Sequence, residues 1–173
     1  MTIVTRRLLL VPYNYSLQSE FLMLNCCVKN RAEMNGPHTV SSAKQLFQHV
    51  LSDESLHARA VLDSYNREYI GHLFISDLYG EPELGFIFDK AYWGKGIALE
   101  ALSAFVPKAM RERKLTSIKS AVNRHHIAAS RVLEKMGFEF VCEKHDALGS
   151  YKEYQFTSDV VEDETSQYET LAW

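Results

Sequence analysis

A chain of 173 residues with 46% apolar content is the size of one domain and can fill a single core. The net charge of −3 leaves no basic footprint for nucleic acid. The three cysteines (Cys26, Cys27 and Cys142) are odd in number, form no C-x-x-C and fit a reducing, cytoplasmic setting, and no apolar run approaches the ~20 residues of a membrane span.

Nothing at the N-terminus resembles a signal peptide, since Thr2-Ile3-Val4 passes straight to Arg6-Arg7 and a short strand, Leu8 to Val11, stopped by Pro12. Leu17, Phe21, Leu24 and Val28 are spaced i, i+4, i+7, i+11, which predicts an amphipathic helix over 15–29. Asn35-Gly36-Pro37 breaks the chain. Ser42 and Gln45 then form a candidate capping box for a second helix, with Leu46, Phe47, Val50 and Leu51 inward. Strands follow at 57–63 and 68–76, joined by the hairpin-length turn Ser64-Tyr65-Asn66-Arg67, and a further turn at 78–82 feeds a third strand. Short connections between consecutive strands imply an antiparallel meander.

The third strand, Glu83-Leu84-Gly85-Phe86-Ile87-Phe88, runs into Asp89-Lys90-Ala91-Tyr92 and then Trp93-Gly94-Lys95-Gly96-Ile97-Ala98. Beyond the glycines, apolar residues at Ile97, Ala98, Ala101, Leu102, Phe105, Val106 and Ala109 mark a helix with one buried face, and Pro107 should kink it near Ser103. A strand, a glycine-bearing loop and a helix N-terminus can cradle an anion, because free N–H groups and the helix dipole meet there and Lys95 adds a full charge. The same pattern also serves as an ordinary tight turn. Two named phosphate motifs are absent. There is no G-x-x-x-x-G-K-[ST], and Gly94-Lys95-Gly96-Ile97-Ala98-Leu99 lacks the last glycine of a dinucleotide fingerprint and the acid about 20 residues on.

A strand at 117–123 precedes a helix whose stripe is Ala128, Ala129, Val132, Leu133 and Met136, ended by Gly137 in the C′ position. Two strands at 138–143 and 151–156 close the fold, separated by 145–150. From Val160 an acidic tail carries Glu162, Asp163, Glu164 and Glu169 and ends Leu171-Ala172-Trp173. One domain over 1–159 and a tail over 160–173 are expected. No internal repeat occurs.

Taken together, the two segments resemble the GNAT superfamily of acetyl-CoA-dependent N-acetyltransferases, and within it the ribosomal-protein N-terminal acetyltransferase branch. That branch reads roughly E-(I/L)-G-Y…Y-W-G-K-G-x-A-x-E-A and later N-x-A-S-x-R-V-L-E-K-x-G-F. The matching positions here are Glu83, Leu84, Gly85, Tyr92 through Gly96, Ala98, Glu100 and Ala101, then Arg131 through Lys135, Gly137 and Phe138. Thr5 to Leu10 also looks like the branch's first strand, so the resemblance covers most of the chain to about Phe156.

The resemblance implies a mixed α/β fold: a central, mostly antiparallel sheet, splayed between the Glu83 and Ser117 strands, with helices on both faces. It implies acetyl-CoA as co-substrate and no metal. The pantetheine arm would lie against Phe86, Ile87 and Phe88, and the pyrophosphate over Gly94, Lys95, Gly96, Ile97 and Ala98, with Trp93 also in the cofactor-binding set. His126, Ala129 and Arg131 would complete the set from the later helix. As catalytic groups it points to Glu83, a base for the amine whose alternative is a solvated strand-end carboxylate, and to His126, which stands where the family usually has Asn. Glu100 reads as structural and His125 as exposed. Two departures stand out: Leu133 occupies the position of a Tyr that protonates the leaving thiolate in many members, and Ala129 replaces a frequent Ser.

The implied partners are acetyl-CoA and an amine, with a protein N-terminal α-amine leading, no nucleic acid or membrane, and a monomer or homodimer. A small amine such as a polyamine, amino acid or drug is the alternative acceptor. A CoA-binding sensor with little turnover is a further reading, motivated by the missing Tyr and the Asn-to-His change. Between Leu17 and Gln48 the acids are Glu20 and Glu33, a thin provision for a polycation.

Overall fold

The computed structural model describes residues 1–158, so the acidic tail lies outside the described residues. Eight strands form one sheet in the order β1-β2-β3-β4-β5-β6-β8-β7, where β1 is Ile3–Val4, β2 Leu8–Val11, β3 His57–Asp63, β4 Tyr69–Ser76, β5 Glu83–Phe88, β6 Ser117–Asn123, β7 Glu139–Asp146 and β8 Gly149–Thr157. Every neighbouring pair is antiparallel except β5 and β6. Those two run parallel and share one register pair, Glu83 with Lys119, reinforced where Ser120 Oγ donates to the Leu84 carbonyl (2.9 Å). Past that point they part, which is the expected splay.

Four α-helices cover the two faces: α1 Gln18–Asn25, α2 Val40–Ser52, α3 Ile97–Arg113 and α4 Ile127–Lys135. Alternation along β4 explains the division, because successive side chains point to opposite faces. Leu73 and Ile75 join the main core with Leu8, Leu84, Ala101, Leu102, Phe105 and Leu133 from β2, β5, α3 and α4. His72 instead meets Phe21 of α1, which packs on Phe47 of α2.

Three local expectations are corrected by side-chain chemistry. The first helix does not span 15–29: a 3₁₀ turn at Tyr15–Leu17 precedes α1, which ends at Asn25, and Val28 is exposed. Arg31 bends the chain beyond it by donating to the carbonyls of Gly36 (2.8 Å) and Met34 (2.8 Å) and to Asn25 Oδ1 (3.3 Å). The capping box of α2 is Thr39 with Ser42, since Thr39 Oγ1 accepts from the Ser42 N–H and Ser42 Oγ from the Thr39 N–H (3.0 Å each). The closing strands extend to Asp146 and back to Gly149, because Asp146 Oδ1 accepts from the Leu148 N–H (2.8 Å) and closes a tight turn. Pro107 lies inside α3, whose assigned helix is unbroken from Ile97 to Arg113.

His57, 4% exposed, accepts a hydrogen bond from Arg113 Nε (2.9 Å) and stacks near Phe105. Burial, then the charges of Arg59 and Arg113, push its pKa down to about 4, with Glu112 opposing. The unfolded imidazole, near 6.5, takes up a proton that the folded one refuses. This contribution to stability is therefore intact above pH 6.5 and lost as the pH falls toward 4. Urea unfolding should show a loss of about 1–2 kcal/mol between pH 7 and 5 from this group. In His57→Gln, whose amide oxygen can still accept from Arg113, that pH dependence should shrink; an unchanged slope would assign it elsewhere.

Candidate active site

The parting of β5 from β6 opens a cleft of about 750 Å³. Its floor is one face of the sheet, read off in alternate residues: His72, Phe74 and Ser76 of β4, Glu83, Gly85 and Ile87 of β5, then Lys119, Ala121 and Asn123 of β6. The segment between α1 and α2, with Arg31, Glu33 and His38, forms one wall, and the β7–β8 hairpin forms another. His126 and Ala129, at the start of α4, lie where the strands diverge.

Gly85 has a steric reason. A Cβ there would stand 2.1 Å from Phe74 Cζ, so the Phe74 ring lies over a position that must lack a side chain.

Glu83 sits in the cleft beside Lys119, whose ammonium is drawn to Glu81 Oε2 (2.8 Å). His126 occupies the N-cap position of α4 without a side-chain cap bond. Burial holds its pKa below the ordinary imidazole value, opposed by the carboxylate of Glu33. These two candidate groups thus share one cavity, as do Phe86, Ile87 and Ala129 of the expected cofactor set. His125 is exposed.

Phe88, Trp93 through Ala98 and Arg131 do not line the cavity. Phe88 ends β5 and leads through Trp93 to Gly96, an exposed loop, into α3, while Arg131 lies on α4. A 3₁₀ turn at Lys90–Tyr92 leads to Gly94 and Gly96, both with positive φ (+74° and +73°), and Gly96 is the N-cap of α3. A Cβ on Gly94 would meet nothing within 4 Å, so the space over the loop is open. Free N–H groups at the start of a 17-residue helix, open space and Lys95 suit a pyrophosphate. The loop's shape is held from below. Trp93 Nε1 donates to the Phe88 carbonyl (2.8 Å), Lys95 Nζ lies 5.7 Å from the Tyr92 ring centroid, and Tyr92 Oη donates to Glu68 (2.7 Å).

Glu100 has the structural role expected of it. It accepts from Thr5 Oγ1 (2.5 Å), the Arg7 N–H (2.9 Å) and Arg7 Nε (2.7 Å), and Arg7 Nη1 reaches the Lys95 carbonyl (2.8 Å). Burial raises its pKa, but the bonds from Thr5 and Arg7 outweigh that and hold the carboxyl below its ordinary value. Leu133, in the position of the family's Tyr, is fully buried core.

Sequence reasoning missed Asn30, Arg31, Lys119 and His72. Asn30 is buried and ties the wall to the loop: its Oδ1 accepts from the Lys90 N–H (2.8 Å) and its Nδ2 donates to Asp89 (3.2 Å). Its Nδ2 also donates to the Leu24 carbonyl (3.2 Å), but the partners that tie it to the loop are 59 and 60 residues away, so no local signal marks that role. His72 did have a signal, a lone histidine inside an apolar strand. Among the described residues no cluster of His, Cys, Asp and Glu could hold a metal ion, and no helix is long and apolar enough to cross a membrane.

Solved structures with this architecture include a spermidine N-acetyltransferase from Vibrio cholerae in complex with CoA and spermine, 14% identical, covering 91% of this chain and 99% of that one with a TM-score of 0.80. A RimL ribosomal L7/L12 alpha-N-protein acetyltransferase in complex with coenzyme A is 16% identical, covering 92% and 99% with a TM-score of 0.75. At these identities the likeness is one of fold. In sequence, a "Probable N-acetyltransferase YjcK" of Bacillus subtilis (strain 168) is 44% identical over 55 residues, 32% of this chain and 30% of that protein. A second relative from the same organism is matched over 41% of its length, so the chain aligns with well under half of either. The model of the Acetyltransferase (GNAT) domain matches residues 7–139, most of the chain including the stretches 83–98 and 123–138, and the chain belongs to that family.

Proposed function

We propose that the protein transfers an acetyl group from acetyl-CoA to a protein N-terminal α-amine. The observation that carries the acceptor class is the pair of strand edges lining the cleft. Beyond Glu83 and Lys119, β5 and β6 face each other across a gap without ladder pairing, although β5 is paired along its other side by β4 and β6 by β8. Backbone edges of this kind need partners that alternate donors and acceptors. Pantetheine, with its two amides, suits the β5 edge; a peptide suits the β6 edge, whereas a polyamine has no amides to offer. The three cysteines are free among the described residues, which fits a reducing compartment.

Acetyl-CoA supplies the acetyl thioester. Gly94 to Ala98 would hold its pyrophosphate, and the backbone of Phe86 to Phe88 its arm. Glu83 takes a proton from the attacking ammonium, directly or through a water. The neutral amine nitrogen then bonds to the thioester carbonyl carbon, and the carbon–sulfur bond breaks as the intermediate collapses. The second proton shed by that nitrogen passes through water to the thiolate, since Leu133 offers none, and Glu83 releases its proton to solvent. A thiol pKa of ~8.5 makes that departure feasible without a side-chain acid.

One observation favours a small polycation instead: Glu33, Asp53 and Asp146 are spread around the cleft wall. A competition assay decides between the acceptors. With acetyl-CoA, short peptides with free N-termini should be acetylated faster than spermidine or lysine peptides blocked at the N-terminus. Preference for spermidine would move the reading to polyamines, and absence of any turnover would leave a CoA-binding sensor.

A further inference from the structure

We infer that His72 is a specificity-determining residue of the acceptor site, presenting a fixed Nε2–H donor to a carbonyl oxygen of the acceptor. The inference rests on the peptide reading above and adds the group that would recognise the peptide.

His72 lies on the cleft floor directly across from Ile87 of β5, one strand away from the edge where the thioester arm would run. The ring is 4% exposed, stacked on Phe74 at 5.0 Å and flanked edge-on by Phe21 and Tyr13. Its Nδ1 is 2.9 Å from Tyr13 Oη, which is 2.6 Å from Tyr69 Oη. Burial, then the charge of Arg31, lowers the imidazole to about 3, so the ring is neutral and carries one proton.

The hydrogen-bond chain favours one nitrogen. Tyr69 has Tyr13 as its one hydrogen-bond partner among the described residues. If Tyr13 donated to Tyr69, the Tyr69 proton would have no protein acceptor and would have to turn to solvent from a partly exposed ring. The arrangement that keeps every bond within the protein runs Tyr69 to Tyr13 to His72 Nδ1, and we assign it; it leaves the proton on Nε2. Nε2 has no protein partner and is not among the fully enclosed unpartnered atoms, which are Arg59 Nε and Ser130 Oγ among the described residues. It therefore reaches the cleft that His72 lines.

A donor pointing into the acceptor side discriminates. A protonated polyamine offers hydrogens and no acceptor, so it would leave Nε2–H unmet, whereas the first carbonyl of a peptide lies within two bonds of the α-amine carbon and can take the bond. Sites built to hydrogen-bond a substrate group reject analogues that lack it, because the buried partner is left unpaired.

Two measurements test this on the full chain. Nitrogen-15 NMR of histidine-labelled protein should show His72 protonated at Nε2 and bare at Nδ1, with the preference weakened in Tyr13→Phe; the reverse tautomer overturns the assignment. The second measurement compares kcat/KM for an aminoacyl amide with that for the alkylamine in which a methylene replaces the carbonyl. His72→Phe should lower the wild-type preference for the amide by about 10-fold, and an unchanged preference overturns the inference. If His72→Phe fails to fold, Tyr13→Phe takes its place and should erode the same preference. Wild type that acetylates spermidine and no peptide would sink the acceptor reading and the carbonyl partner with it. Peptide turnover with the wrong tautomer, or with an unmoved preference, would sink the His72 assignment alone.

Discussion

Replacing Gly96 with Asp should weaken acetyl-CoA binding by about 10²–10⁴-fold in a protein that still folds. Gly96 is the N-cap of α3 with φ +73°, and the nearest atom to a Cβ built there is Arg7 Nη2 at 3.6 Å, so the position has room. Asp is among the side chains that tolerate a left-handed backbone, and it can cap the helix. What it adds is a carboxylate where a pyrophosphate should lie, able to occupy the free N–H groups itself. Losing two charge-assisted hydrogen bonds at about 1.5–3 kcal/mol each gives the stated range. Calorimetry of the variant, with circular dichroism to establish folding, reads the result. Unchanged affinity would mean that the cofactor's phosphates sit elsewhere and the loop is an ordinary turn.

Glu83→Gln is the second substitution with a large expected effect. At neutral pH about a tenth of an α-amine with a pKa of ~7.7–8.0 arrives neutral, so removing a base that strips the rest should lower the rate by about 10-fold. As the pH rises past the amine's own pKa, the substrate arrives neutral and the variant should recover toward wild type. The surroundings of Glu83 make the comparison clean. It stands at the β5–β6 junction, where Gln can keep the backbone pair with Lys119, and the Lys119 ammonium is already engaged by Glu81. A variant with the wild-type pH–rate profile would reassign Glu83 to the structure of the junction and turn attention to His126, which shares the cavity.

Both substitutions fall on residues legible in the chain itself. The strand–glycine–helix pattern at Glu83 to Ala98 and the helix opening at Ile127 rest on local requirements: apolar periodicity, glycines where φ is positive, and free N–H groups at a helix start. Such requirements act over a few residues, so they leave a mark in the order of residue types. The meander from β3 to β5 was legible for the same reason, since short turns force neighbouring strands to pair antiparallel.

What the tertiary structure alone decided concerns groups brought together from far along the chain. The start of the wall between α1 and α2, as far as residue 29, read as the tail of a helix, because the spacing of Val28 fits the stripe of Phe21 and Leu24. The turn there depends on Arg31 reaching Asn25, Met34 and Gly36, and on Asn30 reaching Asp89 and Lys90. Thr5 and Arg7 gripping Glu100 across more than 90 residues set the footing of the cofactor loop. His72 became a candidate only when Tyr13 and Tyr69 met at its Nδ1 and the splay of β5 from β6 opened space beside it. Hydrogen bonds are short-ranged in space and indifferent to sequence separation. A local pattern can therefore specify a strand, a helix start or an anion cradle, while the partners that orient a buried side chain are chosen by packing.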